Sequence, residues 1–405
     1  MSSNRNFLVS LASNGLSEIV QKVSRVAVVI AVARVMEPEA IGIAAAAIAA
    51  GDILKSLTEN GVVQKIIAAP ERELAAVVET GRRLFLRWCL GLFVLQCAVA
   101  AVVWGVTGGI VVPLLIALLA LEYLVMPPGI ANCALAMRAG KLSGTAAVAG
   151  GQIVAANLLT AAIAVIWPSP FALIVPRVLT APLWLIGMRR LHPVSLPRPA
   201  IAAPVTPFLG FGAFVLGTEI VKALRLQADK LLVGALLGAE ALGIYFFAFN
   251  AGLSLATSAS TAFARVVFPR VAAAQDQARA AQEAIWLATL VCAPVILLQA
   301  LLAPVYVPLL FGPDWAFIAD TVSVLCLAAI PMILWSGTSQ WLRAMGRVGD
   351  EFRVTCVVTV ALLLTTWWLA PAGLEAIAWG YLAVTTVIQV AASLPLLIPS
   401  RARSV

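Results

Sequence analysis

Long apolar segments follow one another along almost the whole chain, and they decide what it can fold into. Of the 405 residues, 62% are hydrophobic and only 11% are charged, whereas about a quarter of the residues of a soluble globular protein are charged. The segments are about 20 residues long, which is the length of helix that crosses about 30 Å of hydrocarbon. The sequence therefore predicts an all-α polytopic membrane protein and excludes a soluble globule.

Gly and Pro residues mark the turns between the apolar segments. A longer connection between residues 55 and 83 contains Pro70 followed by Glu71-Arg72-Glu73, which predicts an amphipathic surface helix before the third span. We predict twelve transmembrane helices, at residues 8–33, 39–58, 84–105, 110–136, 143–167, 170–188, 208–236, 241–263, 284–310, 316–342, 352–371 and 374–397.

The chain repeats itself at an offset of 201 residues. Without a gap, Glu18-Ile19-Val20 aligns with Glu219-Ile220-Val221, and Gly42-Ile43 aligns with Gly243-Ile244. Six spans per copy is an even number, so the two copies share one orientation and are related by a pseudo-two-fold axis along the membrane normal. We predict two pseudo-symmetric six-helix bundles around a central cavity, at 1–192 and 208–405, joined by a proline-rich cytoplasmic linker at 193–207.

The basic residues orient the predicted array. Twenty Lys and Arg lie in or beside one set of alternate connections, whereas the other set contains only Arg34. Because cytoplasmic connections carry an excess of Lys and Arg, we predict that both termini are cytoplasmic. The same bias explains the formal net charge of +8, so we expect no nucleic-acid partner. Glu18, Lys22 and Arg25 interrupt the first apolar region, and we therefore expect no cleavable signal peptide.

Ionisable residues interrupt two helices that correspond in the repeat. Such groups at membrane depth are costly unless they face a partner or water, so they mark a functional path. The five basic residues outnumber the three acidic ones, and this surplus favours an anion such as phosphate. The residues are Glu18, Lys22 and Arg25 in the first helix, on one face, and Glu219, Lys222, Arg225, Asp229 and Lys230 in the seventh.

A second interpretation of these charges stays open. Glu18–Lys22 and Arg225–Asp229 are each spaced i, i+4, so they could neutralise each other near the cytoplasmic boundary, with the lysines reaching the head groups.

Two further ionisable residues are isolated near the middle of their spans. Glu122 lies in the fourth predicted helix and Arg177 in the sixth, where they line the same cavity or pair with each other. A carboxylate there could carry a coupling proton or bind a sodium ion. Candidate coupling carboxylates are therefore Glu18, Glu122, Glu219 and Asp229, and candidate substrate-binding cations are Lys22, Arg25, Arg177, Lys222, Arg225 and Lys230.

Catalytic and metal-binding patterns are absent from the sequence. There is no paired-carboxylate, Ser/His or metal-ligand constellation and no Gly-rich nucleotide loop, and the predicted outward connections are only a few residues long. The six cysteines lie within apolar runs and never as CxxC, which predicts neither a disulfide framework nor a zinc site. We therefore expect no enzyme activity, no cofactor and no metal.

Several segments resemble the Wzx-type lipid-linked oligosaccharide flippases, the polysaccharide transporter family of the multidrug/oligosaccharidyl-lipid/polysaccharide exporter superfamily. The Asp-Lys…Leu-Gly…Leu-Gly-Ile-Tyr pattern and the Phe-Gly-x-x-Trp turn carry most of the resemblance. The segments are Ala33 to Gly42, Gln227 to Leu232 with Leu237-Gly238 and Leu242 to Tyr245, Val266 to Arg270, Leu310 to Trp315, and Leu342 to Arg347.

This resemblance implies two six-helix bundles in a V and alternating access. The implied function is translocation of a polyprenyl-pyrophosphate-linked oligosaccharide across the bacterial inner membrane for surface polysaccharide biosynthesis, with H⁺ or Na⁺ as a coupling ion. The implied partners are that substrate, membrane lipid, a polysaccharide polymerase and a chain-length regulator. The length of the chain favours twelve spans over the fourteen-span lipid II flippase type. The alternatives are a multidrug/cation antiporter of the same superfamily and a non-transporting polysaccharide-assembly scaffold.

Overall fold

The helices fall into two units, and the division between them lies inside one long helix. A computed structural model describes residues 21, 24–194 and 203–397. Unit 1 is Met1–Ala223 and unit 2 is Leu224–Val405. Residues 195–202 of the predicted linker lie outside the described residues, so the predicted domain boundaries stay a prediction.

All regular structure in these described residues is helical. Three short 3₁₀ segments, Glu71–Glu73, Pro313–Ile318 and Ala370–Ala372, adjoin longer helices. In unit 1 the α-helices are α1 (24–35), α2 (Pro38–Ser56), α3 (Val62–Ala68), α4 (Leu74–Thr107), α5 (Val111–Ala120), α6 (Glu122–Val125), α7 (Pro127–Arg138), α8 (Leu142–Ile166), α9 (Phe171–Leu191) and the beginning of α10 (Thr206–Ala273). Unit 2 contains the rest of α10, then α11 (Gln277–Phe311), α12 (Ala319–Leu327), α13 (Ala329–Ala344), α14 (Val348–Leu369) and α15 (Leu374–Leu397).

Large apolar side chains cover the outward faces of these helices. Ile166 is 83% exposed, Leu301 76% and Trp368 78%, and surfaces of this kind are stable in lipid but not in water. Eight helices of the described residues are long and apolar enough to cross a membrane, or nine if one bent pair counts as a single span. The protein is therefore a multi-span membrane protein, while the predicted number of twelve spans stays a prediction.

The bent pair is a feature that the sequence analysis did not predict. Val111–Val125 and Pro127–Arg138 meet at 54°, within the predicted straight span 110–136. Pro127 and Pro128 have no backbone N–H, so they cannot continue the α-helical hydrogen bonds of the preceding turn. The backbone tightens there, with Gly129 N bonded to Met126 O at 3.1 Å. Glu122 stands at the start of this irregular stretch.

The prediction of a separate surface helix after Pro70 is wrong. The chain makes a 3₁₀ turn at Glu71–Glu73 and continues directly into α4, which runs without interruption to Thr107. The short helix of this connection is α3, which lies before Pro70. Its end is held by Arg138, whose guanidinium donates to Ile67 O at 2.9 Å and also to Ala69 O. The start signal at Pro70 is therefore the start of the span itself.

Helix α10 is broken once. Gly238 has φ 90° and ψ 178°, outside the helical region, and it lies where the sequence predicts the turn between spans 208–236 and 241–263. The two parts of α10 in unit 2 are thus two consecutive helices with almost no connecting loop.

Two helix ends repeat the same backbone motif in the two units. In unit 1, Lys141 N bonds to Ala136 O at 2.9 Å beyond Gly140, whose φ is 74°. In unit 2, Arg347 N bonds to Leu342 O at 2.8 Å beyond Gly346, whose φ is 71°. Only glycine adopts this left-handed conformation without strain, and the resulting Schellman motif pairs carbonyls that the helix end would leave open. The connections after α7 and α13 are therefore built alike.

Candidate functional site

Three charged helices of unit 1 meet beside the bend. The Arg177 guanidinium of α9 donates to the Asp52 carboxylate of α2 at 2.8 Å, and its Nε lies 3.6 Å from Glu122 Oε1. On the other side of Glu122, the ammonium of Lys55 contacts Oε2. Arg177 and Glu122 thus pair with each other and line one small pocket of unit 1, while their place in the predicted central cavity stays a prediction.

A layer of uncharged polar groups supports this network. Tyr123 donates from its phenol to Gln96 Oε1 at 2.8 Å, and Gln96 Nε2 donates to the backbone carbonyl of Ile116 at 2.7 Å. Both side chains are buried, and a buried polar group that is hydrogen-bonded holds its position. A small pocket beside this layer is lined by Gly51, Lys55, Gln96, Leu119, Glu122, Tyr123 and Arg177.

Arg25 lies at the edge of the same network. It is close enough to Asp52 and Arg177 for both to act on it electrostatically. Glu18 and Lys22, the other charged residues predicted on this helix, lie outside the described residues. The described network therefore contains the cations Arg25, Lys55 and Arg177 and the carboxylates Asp52 and Glu122, a surplus of one positive charge.

Glu122 is the most enclosed member of the network. The residue is 4% exposed, and its Oε1 has no hydrogen-bond donor among the described residues. A carboxylate in such a place depends on nearby cations, because removal from water disfavours its charged form. Lys55 and Arg177 supply those cations.

A second charged group of unit 1 lies on the first part of α10. Lys222 donates to Glu219 at 2.6 Å, which is an i, i+3 pair on one face. Glu59, in the connection between α2 and α3, is also close to this pair. Glu59 is exposed, but the protein atoms around it partly desolvate its carboxyl; this desolvation and the carboxylate of Glu219 raise the pKa of Glu59, against an opposing effect of Lys222.

Unit 2 contains a separate buried pair. Asp229 accepts a hydrogen bond from the phenol of Tyr245 at 3.0 Å and lies 3.4 Å from the ammonium of Lys230. That ammonium also donates to Leu226 O and lies 4.0 Å from the centre of the Phe249 ring, a cation–π contact. Lys230 and Asp229 are 4% and 3% exposed, so Lys230 is held inside unit 2 in this conformation. Arg225 acts electrostatically on the nearby Tyr381.

The structure adds four residues that the sequence analysis did not select: Asp52, Lys55, Gln96 and Tyr123. In the sequence, Lys55 belongs to the basic residues of a predicted cytoplasmic connection. Asp52 lies three residues before it, and this i, i+3 spacing places the two charges on one face of a helix, which was the available signal for a charged site there. Gln96 in the middle of an apolar run was a second signal, because buried amides are costly without partners. In the described part of the chain, no group of three or more His, Cys, Asp or Glu is arranged to hold a metal ion.

Known sequences match over much of this chain. The amylovoran biosynthesis protein AmsL of Erwinia amylovora is 30% identical over 169 residues, which cover 40% of this chain and 44% of AmsL. The teichuronic acid biosynthesis protein TuaB of Bacillus subtilis (strain 168) is 25% identical over 209 residues, which cover 50% of this chain and 43% of TuaB. The chain thus spans less than half the length of these curated relatives.

Solved structures match over nearly the whole chain. The lipid II flippase MurJ in an inward closed conformation has a TM-score of 0.78 at 10% identity, covering 94% of this chain and 86% of MurJ. An inward-facing multidrug resistance MATE family transporter of the MOP superfamily has a TM-score of 0.72 at 15% identity, covering 93% of each chain. At these identities the likeness shows the fold.

Residues 31–320 match the family described as polysaccharide biosynthesis protein, which is more than half of the chain. The chain therefore belongs to the polysaccharide biosynthesis protein family, and its fold resembles those of the lipid II flippase MurJ and the MATE family transporter.

Proposed function

We propose that this protein is a flippase that translocates a polyprenyl-diphosphate-linked oligosaccharide across the bacterial inner membrane by alternating access, for surface polysaccharide biosynthesis. In this proposal the substrate enters from the cytoplasmic leaflet and its lipid tail stays in the bilayer. The chain forms two pseudo-symmetric bundles of six spans, and both termini are cytoplasmic. Membership of the polysaccharide biosynthesis protein family and the transporter fold support the general class.

The observation that carries the proposal is the cation surplus of the unit 1 network. Arg25, Lys55 and Arg177 face Asp52 and Glu122. In a site of low dielectric, a net positive charge attracts an anion far more strongly than it would in water. A diphosphate matches the bidentate donors of arginine and the point charge of lysine.

Each predicted cation has a distinct place in this proposal. Arg25 is the first contact for the diphosphate, because it lies at the edge of the network, and Arg177 supports it from within. Lys222 and Arg225 serve the same substrate from α10, as Lys22 does from the first predicted span. Lys230 binds the substrate only in a conformation that releases it from Asp229.

The alternatives differ in the charge that they require. A multidrug antiporter, whose fold this chain shares, would favour an acidic pocket for a cationic drug. A scaffold without transport would give these costly buried charges no task. The surplus of cations favours the anionic substrate over both.

Export of polymer in a deletion strain tests the proposal. We expect Arg25→Ala to abolish export while the protein stays in the membrane, and Arg25→Lys to restore it in part, because lysine lacks the bidentate contact. Loss of one charge-assisted hydrogen bond costs about 1.5–3 kcal/mol, or about tenfold to hundredfold in affinity. Arg72→Ala is the matched control, since Arg72 is an exposed arginine of unit 1 whose side chain is 84% exposed. Normal export from Arg25→Ala would contradict the anionic assignment.

A further inference from the structure

The contact between Lys55 and Glu122 joins two groups with different access to solvent. The side chain of Glu122 is 6% exposed, whereas that of Lys55 is 38% exposed. Lysine is a point charge on a flexible four-carbon stem, and Lys55 lies in the last turn of α2. The ammonium can therefore leave the carboxylate by rotation of its own side chain, while the carboxylate stays enclosed.

The second cation beside Glu122 is already engaged. Arg177 donates to Asp52 at 2.8 Å but lies 3.6 Å from Glu122. Helix α5 carries no ionisable residue, and Arg138 of α7 is bonded to the end of α3. Among the described residues, the polar and ionisable groups that face or flank Glu122 are Asp52, Lys55, Gln96, Tyr123 and Arg177, with Cys89 near Tyr123 and Arg25 near Asp52.

We propose that the substrate diphosphate and Glu122 compete for Lys55, so that binding of the anion is coupled to uptake of one proton by Glu122. This inference rests on the proposed function and deepens it. Without substrate, the Lys55 ammonium neutralises Glu122. When the diphosphate takes the ammonium, Glu122 retains only the more distant Arg177, and an enclosed carboxylate with too little counter-charge binds a proton.

The exchange is balanced. Lys55 keeps its three protons throughout and changes only its anionic partner. The carboxylate gains one proton from solvent, and no covalent bond other than that O–H is formed. Glu122 Oε2 is suited to this step, because the Lys55 ammonium contacts that oxygen and its departure leaves the oxygen open to a proton, while Oε1 still faces Arg177.

Proton uptake on binding tests the inference. The full-length protein in lipid nanodiscs is titrated with farnesyl diphosphate by calorimetry, in buffers of different ionisation enthalpy, which gives the number of protons taken up per ligand. We expect the wild-type protein to take up about one proton more than Glu122→Gln. Both proteins meet the same ligand at the same pH, so protonation of the diphosphate itself cancels. The affinity of the wild type should also rise by up to about tenfold per unit fall in pH relative to the variant.

Two further variants separate competition from a structural ion pair. Lys55→Met should bind farnesyl diphosphate more weakly and without the additional proton, because no cation is withdrawn from Glu122. Arg72→Met, which removes an exposed positive charge, should behave like the wild type. Equal proton uptake by the wild type and Glu122→Gln, or by the wild type and Lys55→Met, would overturn the inference alone. Failure of the wild type to bind farnesyl diphosphate would overturn the proposed function as well.

Discussion

The phenol of Tyr245 donates a hydrogen bond of 3.0 Å to the carboxylate of Asp229, and the two residues lie on opposite sides of the break in α10 at Gly238. Both side chains are buried. The bond therefore ties together two consecutive helices and satisfies a carboxylate that has left water.

Removal of this phenol should destabilise unit 2. In Tyr245→Phe the buried carboxylate loses a donor, and an unsatisfied buried polar group costs about 1–3 kcal/mol. We expect a lower midpoint of thermal unfolding in detergent. Tyr306→Phe is the control, because the Tyr306 hydroxyl contacts Cys326 and Gln299, neither of which is a carboxylate. Equal shifts in the two variants would show that the bond to Asp229 contributes little.

The raised pKa of Glu59 predicts a dependence of stability on pH. Glu59 lies between α2 and α3, outside the predicted spans, and its pKa is raised by partial desolvation of its carboxyl and by Glu219, against Lys222. Since the folded state then binds the proton more tightly than the unfolded state, stability falls as the pH rises from the unfolded to the folded pKa. Above the folded-state pKa, Glu59 is ionised in both states, and the free-energy cost of its charged form in the folded protein no longer changes with pH.

Glu59→Gln should therefore raise the unfolding midpoint at about pH 8 and change it little at about pH 4.5. The measurement is thermal unfolding of both proteins in the same detergent at each pH. Glu73→Gln serves as the control, since the side chain of Glu73 is 53% exposed and its ion pair with Arg72 is a surface pair, whose loss costs little. A stabilisation by Glu59→Gln that is equal at both pH values would exclude the ionisation of Glu59 as its cause.

Gly140→Ala should weaken the helix end after α7. The φ of 74° at this position costs a side chain about 1 kcal/mol, so the unfolding midpoint should fall. Gly91→Ala in α4 provides the contrast, because a Cβ there meets open space and alanine favours a helix by about 0.5–1 kcal/mol. A loss of stability in both variants would point to a general effect of the added methyl group.

The predicted orientation is tested by cysteine labelling in a cysteine-free background. Arg72→Cys and Asp314→Cys place thiols at exposed positions, on what we predict to be opposite sides of the membrane. In intact cells an impermeant reagent should label Asp314→Cys, and it should label Arg72→Cys only after permeabilisation. The reverse pattern would invert the orientation.

Hydropathy located most helices because it reports how apolar a segment is. It does not report the direction of the backbone, so the 54° bend within 110–136 was not predicted, although Pro127-Pro128 marked its position. The break at Gly238 was predicted because glycine and a change of segment coincide there. Pro70 was a correct start signal for a helix, but the expected separate helix is the beginning of α4.

The sequence identified two members of the charged network of unit 1 but not their partners. Glu122 and Arg177 were recognised as unusual because they are charges inside apolar spans. Their partners Asp52 and Lys55 lie near the end of α2, where charges are ordinary, and 67 or more positions separate the members of each pair. Only the packing of α2, α6 and α9 brings them together, so the assignment of Lys55 required the structure.

The matching ends of α7 and α13 bear on the predicted repeat of the two halves. Both keep the same hydrogen bonds around Gly140 and Gly346, yet the neighbouring arginines have different partners, since Arg138 binds the end of α3 and Arg343 binds Glu351. In the repeat defined by these bonds, Arg138 falls opposite Ala344 and not opposite Arg343. An ancestral duplication would thus have conserved the backbone geometry of this corner while its side chains drifted to new tasks, which allows each half to evolve its own chemistry on a shared frame.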